Sequence, residues 1–349
     1  MQLAYLLAWF GALAWPVLIG FAVWRWITKR SKPKRAAWIT LGVVTPFWFL
    51  GIWAFLWEPE TLVVRRIEVV SLAWSGPPLR IGVIADTHMG APHMSVGRMK
   101  RLVARMNSEH PDVVTLLGDY IGGHAPAASR SNGDRAAIVA TFQQMGRFHA
   151  PLGTYAVLGN HDIWYDAGLV AAGLDAAGVH LLQNQSIRVE RGAGSFWIAG
   201  LTDHDAARAP SYTQSMLGVP ATDPLIALVH RPDKFAAAPA QVALTLAGHT
   251  HCGQVHIPFL GRYMPKSSEE SRRWPCGLYE DHGRRLYVSG GVGVSFLPVR
   301  FLQPPEIAIV TLRADPDAEA GQIRAPAPAP PPPAPAAAPK APAPASPSP

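Results

Sequence analysis

The stretch RIGVIADTHMG, residues 80–90, sets the fold class of this chain. Its first part, residues 80–85, is an apolar run typical of a strand buried in a sheet. The run ends directly in Asp86-Thr87-His88, although burying a carboxylate or an imidazole without a partner costs several kcal/mol. At the carboxyl end of a strand, both side chains face a crevice and can share a cation. The stretch therefore predicts a pair of metal ligands at the end of a buried strand.

The same arrangement recurs four times downstream. Each of four later apolar runs ends on side chains that can ligate a metal: 111–117 on Asp119, 154–158 on Asn160-His161-Asp162, 225–229 on His230, and 242–247 on His249-Thr250-His251. Taken singly these motifs are weak, because a lone histidine is more often a core or surface residue than a ligand. Five strands that all end in ligand-type residues predict one metal site at the edge of an α/β sheet.

The segments between these runs complete the fold prediction. A helix capped by Ser95 and a second helix at 137–149 alternate with the first strands, which is the order of βαβ units. A loop is predicted at 121–134, and a helix at 168–177. The remaining strands are predicted at 62–70, 180–190, 195–203, 285–291 and 306–313, with 180–190 and 195–203 as antiparallel strands of a second sheet.

Charge is concentrated outside the predicted domain. The formal net charge of the 349 residues is +7, and six basic residues lie within 25–35. Between residues 58 and 324 the chain has 24 basic and 24 acidic residues, so this region is neutral. A nucleic-acid-binding protein would need a basic face on the folded domain, and we expect no nucleic-acid partner. Cys252 and Cys276 are too few for a disulfide scaffold or a structural zinc site, and the sequence leaves open whether they pair.

Two apolar runs, 3–24 and 36–57, predict transmembrane helices, because each has about the ~20 residues needed to cross a bilayer. A cleaved signal peptide is the alternative for the first run, but that run has no positive n-region and precedes a basic cluster rather than a cleavage site. A helical hairpin buried in a soluble domain is the alternative for the pair. Tryptophans near the predicted ends favour the membrane interpretation.

The basic loop at 25–35 predicts the orientation of this two-pass anchor. Basic loops stay on the cytoplasmic side, so we expect an anchor at 1–57 in the cytoplasmic (inner) membrane with the following domain on the extracytoplasmic side. Arg65 and Arg66 follow the second span and weaken this prediction slightly. From residue 325 to 349 the chain is rich in proline and alanine, and we expect this tail to be disordered.

The ordered set of ligand motifs resembles the calcineurin-like metallophosphoesterase superfamily. The segments HTHCGQ (249–254) and LYVSGGVGVSFLPVRFLQPPEIAIVTL, which ends at Leu312, add a likeness to the membrane-anchored bacterial phosphodiesterases of the YaeI and YkuE type. Cys252 departs from the pattern, since many relatives have glycine there. The resemblance implies a four-layer α/β/β/α domain over residues 58–324.

The resemblance also implies the roles of the site residues. It places Asp86, His88 and His251 on a first metal, Asn160, His230 and His249 on a second, and Asp119 between the two. His161 is implied as the proton donor to the leaving oxygen, with Asp162 either orienting its ring or bonding the loop. Carboxylate, amide and imidazole ligands suit Mn, Fe, Zn or Co, so we expect two such divalent ions. The involvement of Asp203 and His204 is left open.

The expected activity is hydrolysis of a phosphodiester at the membrane, on a membrane-associated or lipid-linked substrate. A UDP-diacylglucosamine pyrophosphatase-type hydrolase is one alternative. Alternatives of other classes are a non-catalytic, metal-containing membrane binding module and a membrane scaffold that acts through the proline-rich tail.

Overall fold

The computed structural model describes residues 2–29, 35–262, 264 and 268–316. The tail predicted at 325–349 lies outside the described residues, as does the middle of the basic loop, 30–34.

Two long apolar helices form the N-terminal part, α1 (Gln2–Lys29) and α2 (Arg35–Ile52). The candidate spans, 2–28 and 37–60, are each long and apolar enough to cross a membrane. Their most apolar windows are only 0% and 6% buried, whereas a helical hairpin within a soluble domain would be covered by other elements. Both helices therefore fit transmembrane segments. A π-helical turn at Trp53–Trp57 and a 3₁₀ turn at Glu58–Glu60 connect α2 to the first strand.

A six-stranded sheet carries the first three ligand motifs, in the order β1-β14-β2-β3-β4-β5. Strands β2 to β5 are parallel, β14 runs antiparallel to β2, and β1 is parallel to β14. The strands are β1 (Val63–Ser71), β2 (Leu79–Ile84), β3 (Val113–Leu116), β4 (Thr154–Ala156), β5 (His180–Leu181) and β14 (Glu306–Ala314).

A second six-stranded sheet carries the other two motifs, in the order β12-β13-β9-β8-β7-β6. Strands β13, β9, β8 and β7 are parallel, and the edge strands β12 and β6 are antiparallel to their neighbours. The strands are β6 (Gln185–Arg191), β7 (Gly194–Gly200), β8 (Leu225–Leu228), β9 (Val242–Ala247), β12 (Gly277–Asp281) and β13 (Arg284–Val288). A short hairpin, β10 (His256–Ile257) and β11 (Gly261–Arg262), lies outside both sheets.

The helices of the domain cover the two outer faces. On the first sheet these are α3 (Val96–Asn107), α4 (Asn132–Met145) and α5 (Asn160–Ala176); on the second they are α6 (Tyr212–Ser215) and α7 (Glu269–Arg273). One apolar cluster joins α3, α4 and α5 to the first sheet, a second fills the space between the sheets, and a third lies beyond the second sheet. Three cores separate four layers, so the predicted α/β/β/α sandwich is confirmed.

Local sequence explains α3, which covers the ligand-bearing strand. The hydroxyl of Ser95 accepts a hydrogen bond from the Arg98 N–H, as an N-cap does. Met99, Leu102 and Met106 are all buried and form the stripe that faces β2 and β3.

Three predicted elements differ from the observed ones. His180 and Leu181 pair with β4 in the first sheet, so the prediction that they belong to the second sheet is wrong. The helix predicted at 168–177 begins earlier, at Asn160, and is kinked at Asp166. The helix predicted at 137–149 occupies 132–145, because Ser131 caps it and the helix begins five residues before the expected start.

Hydrogen bonds join the end of α2 to the domain. Glu58 is buried, and its carboxylate accepts hydrogen bonds from the N–H groups of Leu302 and Gln303 at 2.9 and 2.6 Å. The carbonyl of Ala54 accepts another from the Arg300 N–H at 2.9 Å. The loop at 296–303 is therefore held against the last turns of the second span.

The start of α1 lies against the same side of the domain. The rings of Tyr5 and His93 are in edge contact at 4.8 Å, and His93 also lies 2.9 Å from Glu60. Arg98 donates to the Pro59 carbonyl at 2.6 Å. The first and last turns of the anchor thus both meet the domain, which is the geometry of two antiparallel spans.

Candidate metal centre

Five strand ends from the two sheets converge on one crevice. The first sheet supplies Asp86 and His88 after β2, Asp119 after β3, and Asn160 after β4. The second sheet supplies His230 after β8, and His249 and His251 after β9. All seven predicted ligand residues thus occupy the carboxyl ends of strands, where α/β sheets bind their ligands.

One group of donor atoms is formed by Asp86, His88 and His251. The Nε2 atoms of His88 and His251 are 2.9 Å apart, and His251 Nε2 is 3.7 Å from Asp86 Oδ1. All three side chains are buried.

A second group surrounds the ring of His230. Its Nε2 lies 3.2 Å from His249 Nδ1, 3.3 Å from Asn160 Oδ1 and 3.4 Å from Asp119 Oδ2. Asp119 Oδ2 is also 3.8 Å from His88 Nε2. Asp119 therefore faces both groups, as a bridging carboxylate would.

The backbone at the strand ends is left-handed, which turns these side chains into the crevice. Five predicted ligand residues have positive φ: Asp86 at 53°, His88 at 46°, Asp119 at 53°, His249 at 71° and His251 at 51°. Such a conformation is uncommon outside glycine and clusters at functional sites. The cost of this strain is consistent with a site whose side-chain directions are fixed before ligand binds.

Glycine is required at two positions beside the ligands. A Cβ on Gly159 would overlap the carboxylate and the N–H of Asp119, and one on Gly248 would lie 2.8 Å from Asp86 Oδ2. Gly159 and Gly248, which directly precede ligand motifs, therefore let the strand ends approach closely.

Burial and mutual proximity shift the pKa values of these groups in opposite directions. Burial raises the pKa of Asp86 to about 7, and burial with the neighbouring His161 lowers the pKa of His88 to about 3. Burial alone would lower the pKa of His230, but the carboxylates of Asp119 and Asp86 raise it to about 10. Burial favours a neutral Asp119, yet the His230 and His161 rings hold its pKa well below the usual range. The two carboxylates and the imidazoles thus compete for protons at one place, where an added cation would favour the ionised carboxylates and neutral imidazoles.

The donor set fits divalent metal ions. The Nε2 atoms of His88 and His251 face each other at 2.9 Å, and burial lowers both pKa values, which favours the neutral form of both rings. Neutral imidazole nitrogens and carboxylate oxygens that converge on a buried point are the ligands that transition metals prefer. In both groups the donor atoms lie within 4.8 Å of one another.

His161 lies beside Asp119 but has a separate backbone partner. Its Nδ1 is 2.9 Å from the Gly123 carbonyl, which fixes the ring with Nδ1 as donor and turns Nε2 toward Asp119 Oδ2 at 3.9 Å. Asp162 instead accepts from the N–H groups of Tyr120, Ile121 and Gly159. Of the two roles left open for Asp162, its contacts support bonding of the loops, while Gly123 orients the His161 ring.

The sequence matches the family model for the calcineurin-like phosphoesterases over residues 79–253, half of the chain. The chain belongs to the calcineurin-like phosphoesterase family.

Curated relatives have the same domain, some of them with transmembrane segments. A transmembrane protein with metallophosphoesterase domain from Danio rerio is 27% identical over 73% of this chain and 58% of its own length. An uncharacterized metallophosphoesterase of Aquifex aeolicus is 29% identical over 76% of this chain and 96% of its length. Phosphodiesterase YaeI of Escherichia coli is 28% identical over 73% and 90%. The protein is thus a metal-dependent phosphoesterase, and its two apolar helices associate it with a membrane.

Sequence reasoning missed two charged residues that line the phosphoesterase crevice, Arg231 and Asp205. Arg231 follows His230 and lines the crevice, where Asp203 and Asp205 bind its guanidinium at 3.0 and 3.2 Å. Asp203 therefore enters the site indirectly, by positioning an arginine. The signal was the basic residue directly after a ligand histidine.

A second arginine, Arg300, lies beneath the crevice and contacts the loops that carry the site. It is fully buried and donates to the carbonyls of Gly290, Gly291 and Gly293, while one guanidinium nitrogen lies 3.5 Å from His251 Nδ1. Burial lowers its pKa to about 10. Arg300 thereby links the glycine-rich loop and the metal-ligand loop, which are far apart in sequence.

Cys252 and Cys276 form a disulfide, which answers the question that composition left open. Cys252 follows His251 and has φ 54°, a conformation that glycine adopts without strain. The bond fixes the end of the ligand loop to the start of β12.

The crevice above the centre has a volume of about 490 Å³ and an aromatic wall. His124 stacks on Trp164 at 5.3 Å and lies 5.5 Å from the Phe296 ring, and Trp164 also contacts His161 at 4.8 Å. The predicted loop at 121–134 supplies His124, so it borders the phosphoesterase crevice.

Proposed function

We propose that this protein hydrolyses a phosphodiester at a dinuclear metal centre on the extracytoplasmic face of the cytoplasmic membrane. The observation that carries the proposal is the position of Asp119 Oδ2, which lies 3.4 to 3.9 Å from Nε2 of His230, His88 and His161. One carboxylate thus faces both ligand groups and the candidate proton donor.

In this proposal Asp86, His88 and His251 hold one ion, Asn160, His230 and His249 hold the other, and Asp119 contacts both. Two divalent ions, Mn, Fe, Zn or Co, would neutralise phosphoryl oxygens and lower the pKa of water. The neutral amide of Asn160 limits the negative charge contributed by the ligands.

The remaining crevice residues act on the substrate. Arg231, held by Asp203 and Asp205, offers a guanidinium edge to a phosphoryl oxygen from beside His230. His161 Nε2 donates a proton to the leaving oxygen, while Nδ1 stays bonded to the Gly123 carbonyl. His161 also lies in a third possible ligand group with His88 and Asp119, so metal content must be measured whenever it is changed.

We infer a lipid-linked phosphoester as the substrate. The support is the anchor, whose two ends both contact the domain, and the three-residue junction Glu58–Glu60, which keep the crevice near the bilayer. A tethered site meets lipid head groups at high effective concentration. UDP-diacylglucosamine is a second candidate, but it is made in the cytoplasm, opposite to the proposed location of the domain.

Changing Asp119 tests the metal chemistry. Full-length Asp119→Asn should lose both ions and at least 10²-fold in turnover of an aryl phosphodiester, because the shared ligand loses its charge. Metal content by mass spectrometry and the rate of aryl phosphodiester cleavage are measured together. Asp175→Asn, on the exposed side of α5, is the matched control and should change neither.

The same measurements decide between an enzyme and a binding module. Wild-type protein that contains two ions but cleaves neither aryl phosphodiesters nor phosphomonoesters would refute the proposal and favour the non-catalytic metal-containing module.

A further inference from the structure

The hairpin β10–β11 presents an unusual run of exposed apolar side chains. Phe259 at its tip is fully exposed, Leu260 is 82% exposed and Ile257 is 43% exposed. Elsewhere in the described part of the domain, exposed large apolar residues stand singly, as Val139 and Leu217 do, or form pairs, as Phe296 and Leu297 do in the loop next to the hairpin. Three within four residues on a protruding turn require a separate explanation.

The backbone of the tip supports a surface role rather than a packing role. Phe259 has φ 69°, a conformation that is a genuine outlier for a bulky residue and that the fold maintains although the ring packs on nothing within the domain. A turn that only reversed the chain would place glycine there, as it does at the neighbouring Gly261, φ 87°.

The hairpin is connected through short hydrogen-bonded steps to the membrane helix. The His256 N–H donates to the Phe301 carbonyl at 2.9 Å, and Phe301 in turn donates to the Gln254 carbonyl at 2.9 Å. The residues on either side of Phe301 bind the end of α2, since Arg300 donates to Ala54 and Leu302 to Glu58. The hairpin, the 296–303 loop and the last turns of α2 are therefore neighbours.

The surface next to the hairpin has the composition of a membrane interface. Trp53 and Trp57 are 44% and 62% exposed on the last turns before the domain, where aromatic side chains mark the head-group level. Leu302 is 46% exposed in the neighbouring loop. Arg262, at the end of the hairpin, is exposed and can contact lipid phosphate.

We propose that the hairpin tip, Ile257–Leu260, inserts into the interfacial layer of the bilayer that α1 and α2 cross. Its occupant is lipid because the hairpin adjoins the end of a membrane span and carries apolar side chains at the tip with a basic residue behind them. The inserted tip would hold the crevice mouth against the lipid surface, since Gln254 and Val255, at the base of the hairpin, line the crevice. This inference does not depend on the chemistry at the metal centre.

Photo-crosslinking tests the insertion directly. Full-length protein with p-benzoylphenylalanine in place of Phe259 is reconstituted in phosphatidylcholine nanodiscs, irradiated, and analysed by mass spectrometry. We expect a lipid adduct at position 259. The matched control carries the same photoreactive residue in place of Leu217, which is 73% exposed after α6, and we expect no lipid adduct there.

Hydrogen exchange gives a second readout that needs no photochemistry. The amides of 256–262 should exchange at least tenfold more slowly in these nanodiscs than in protein kept soluble without lipid by an amphipathic polymer. In the double variant Phe259→Ser with Leu260→Ser, the exchange rates in the two environments should be equal. Cleavage of a soluble aryl phosphodiester by the double variant should be unchanged, which verifies its fold. A protein adduct instead of a lipid adduct at 259, equal lipid adducts at 259 and 217, or equal exchange in both environments would each overturn the proposal.

Discussion

The predicted ligand His230 has its Nδ1 held by the Leu117 carbonyl at 2.8 Å, and the proposed proton donor His161 is held in the same way. A backbone carbonyl, that of Gly123, fixes His161 Nδ1, and Nε2 points to the crevice at 3.9 Å from Asp119. A ligand histidine must be neutral to bind a metal, whereas a proton donor must gain and lose a proton during turnover. Substitution of His161 can therefore distinguish proton donation from metal binding.

We expect His161→Ala to keep both metal ions and to slow cleavage of a poor leaving group by roughly 10²–10⁴, the usual contribution of a general acid. Leaving groups that need no proton should be cleaved at nearly the wild-type rate. Rates for a series of aryl phosphodiesters, with metal content determined on the same samples, measure this. Equal losses along the series, or loss of one ion, would instead assign His161 to positioning or to metal binding.

At the residue scale the sequence predicts chemistry well where residue type and strand position coincide. Asp86, Asp119 and His230 each follow an apolar run directly, and all three lie in the crevice. Arg231 and Arg300 could not be predicted in the same way. Their roles depend on partners far away in sequence, and a basic residue in a loop is usually solvated.

At the element scale, the loop after β9 that carries His249 and His251 is restrained by contacts on two sides. His251 contacts Arg300 on one side, and the next residue, Cys252, is bonded to Cys276 on the other. A crosslink across 24 residues removes loop entropy from the unfolded chain, which corresponds to about 3 kcal/mol. The same bond restrains the neighbouring His251, a predicted metal ligand with φ 51°, in a left-handed conformation.

We expect Cys252→Ser with Cys276→Ser to lower the free energy of unfolding by about 3 kcal/mol and to weaken metal binding. Denaturant unfolding followed by metal titration gives both values. Reductant should bring the wild-type protein to the stability of the double variant and leave the variant unchanged. A variant as stable as the wild type, in the presence and absence of reductant, would show that the bond is not formed in the folded protein.

The short elements show where sequence patterns stop being informative. The strand β5 has two residues, and only its long-range pairing with β4 assigns it to the first sheet. The β10–β11 hairpin was not predicted as strand at all, because two-residue strands carry no periodicity. The continuous apolar run of β9 and the helical apolar stripe of α3 are clear local signals, and both elements were predicted closely.

At the scale of the whole molecule, contacts between the anchor and the domain determine which end of the two spans faces the domain. Tyr5 near the start of α1 and Ala54 just after α2 both contact the domain, so the end of α1 and the start of α2 lie at the opposite end of the spans. Combined with the positive-inside rule, this arrangement supports the proposed orientation, with the loop in the cytoplasm and the domain outside. An oxidising location also agrees with the disulfide.

Reporter fusions test this orientation. Alkaline phosphatase, which is active only outside the cytoplasm, should be active when fused after Arg324 and inactive when inserted at Pro33; a cytoplasmic reporter should give the opposite pattern. Substituting the basic residues of 25–35 by glutamine should lower the fraction of molecules with the domain outside the cytoplasm, since the positive-inside rule attributes the orientation to these residues. If alkaline phosphatase were active at Pro33 and inactive after Arg324, and the cytoplasmic reporter gave the opposite result, the domain would lie in the cytoplasm.

The three-residue junction at Glu58–Glu60 also affects which substrate concentration determines the rate of this enzyme. A domain bonded to the end of its own membrane helix cannot diffuse away from the lipid surface, and its search for the proposed lipid-linked substrate would be confined to two dimensions. The relevant quantity is then the mole fraction of substrate among the lipids, whatever the volume of the solution. Diluting the vesicles with buffer should leave the rate per enzyme unchanged, whereas diluting the substrate with inert lipid should lower it.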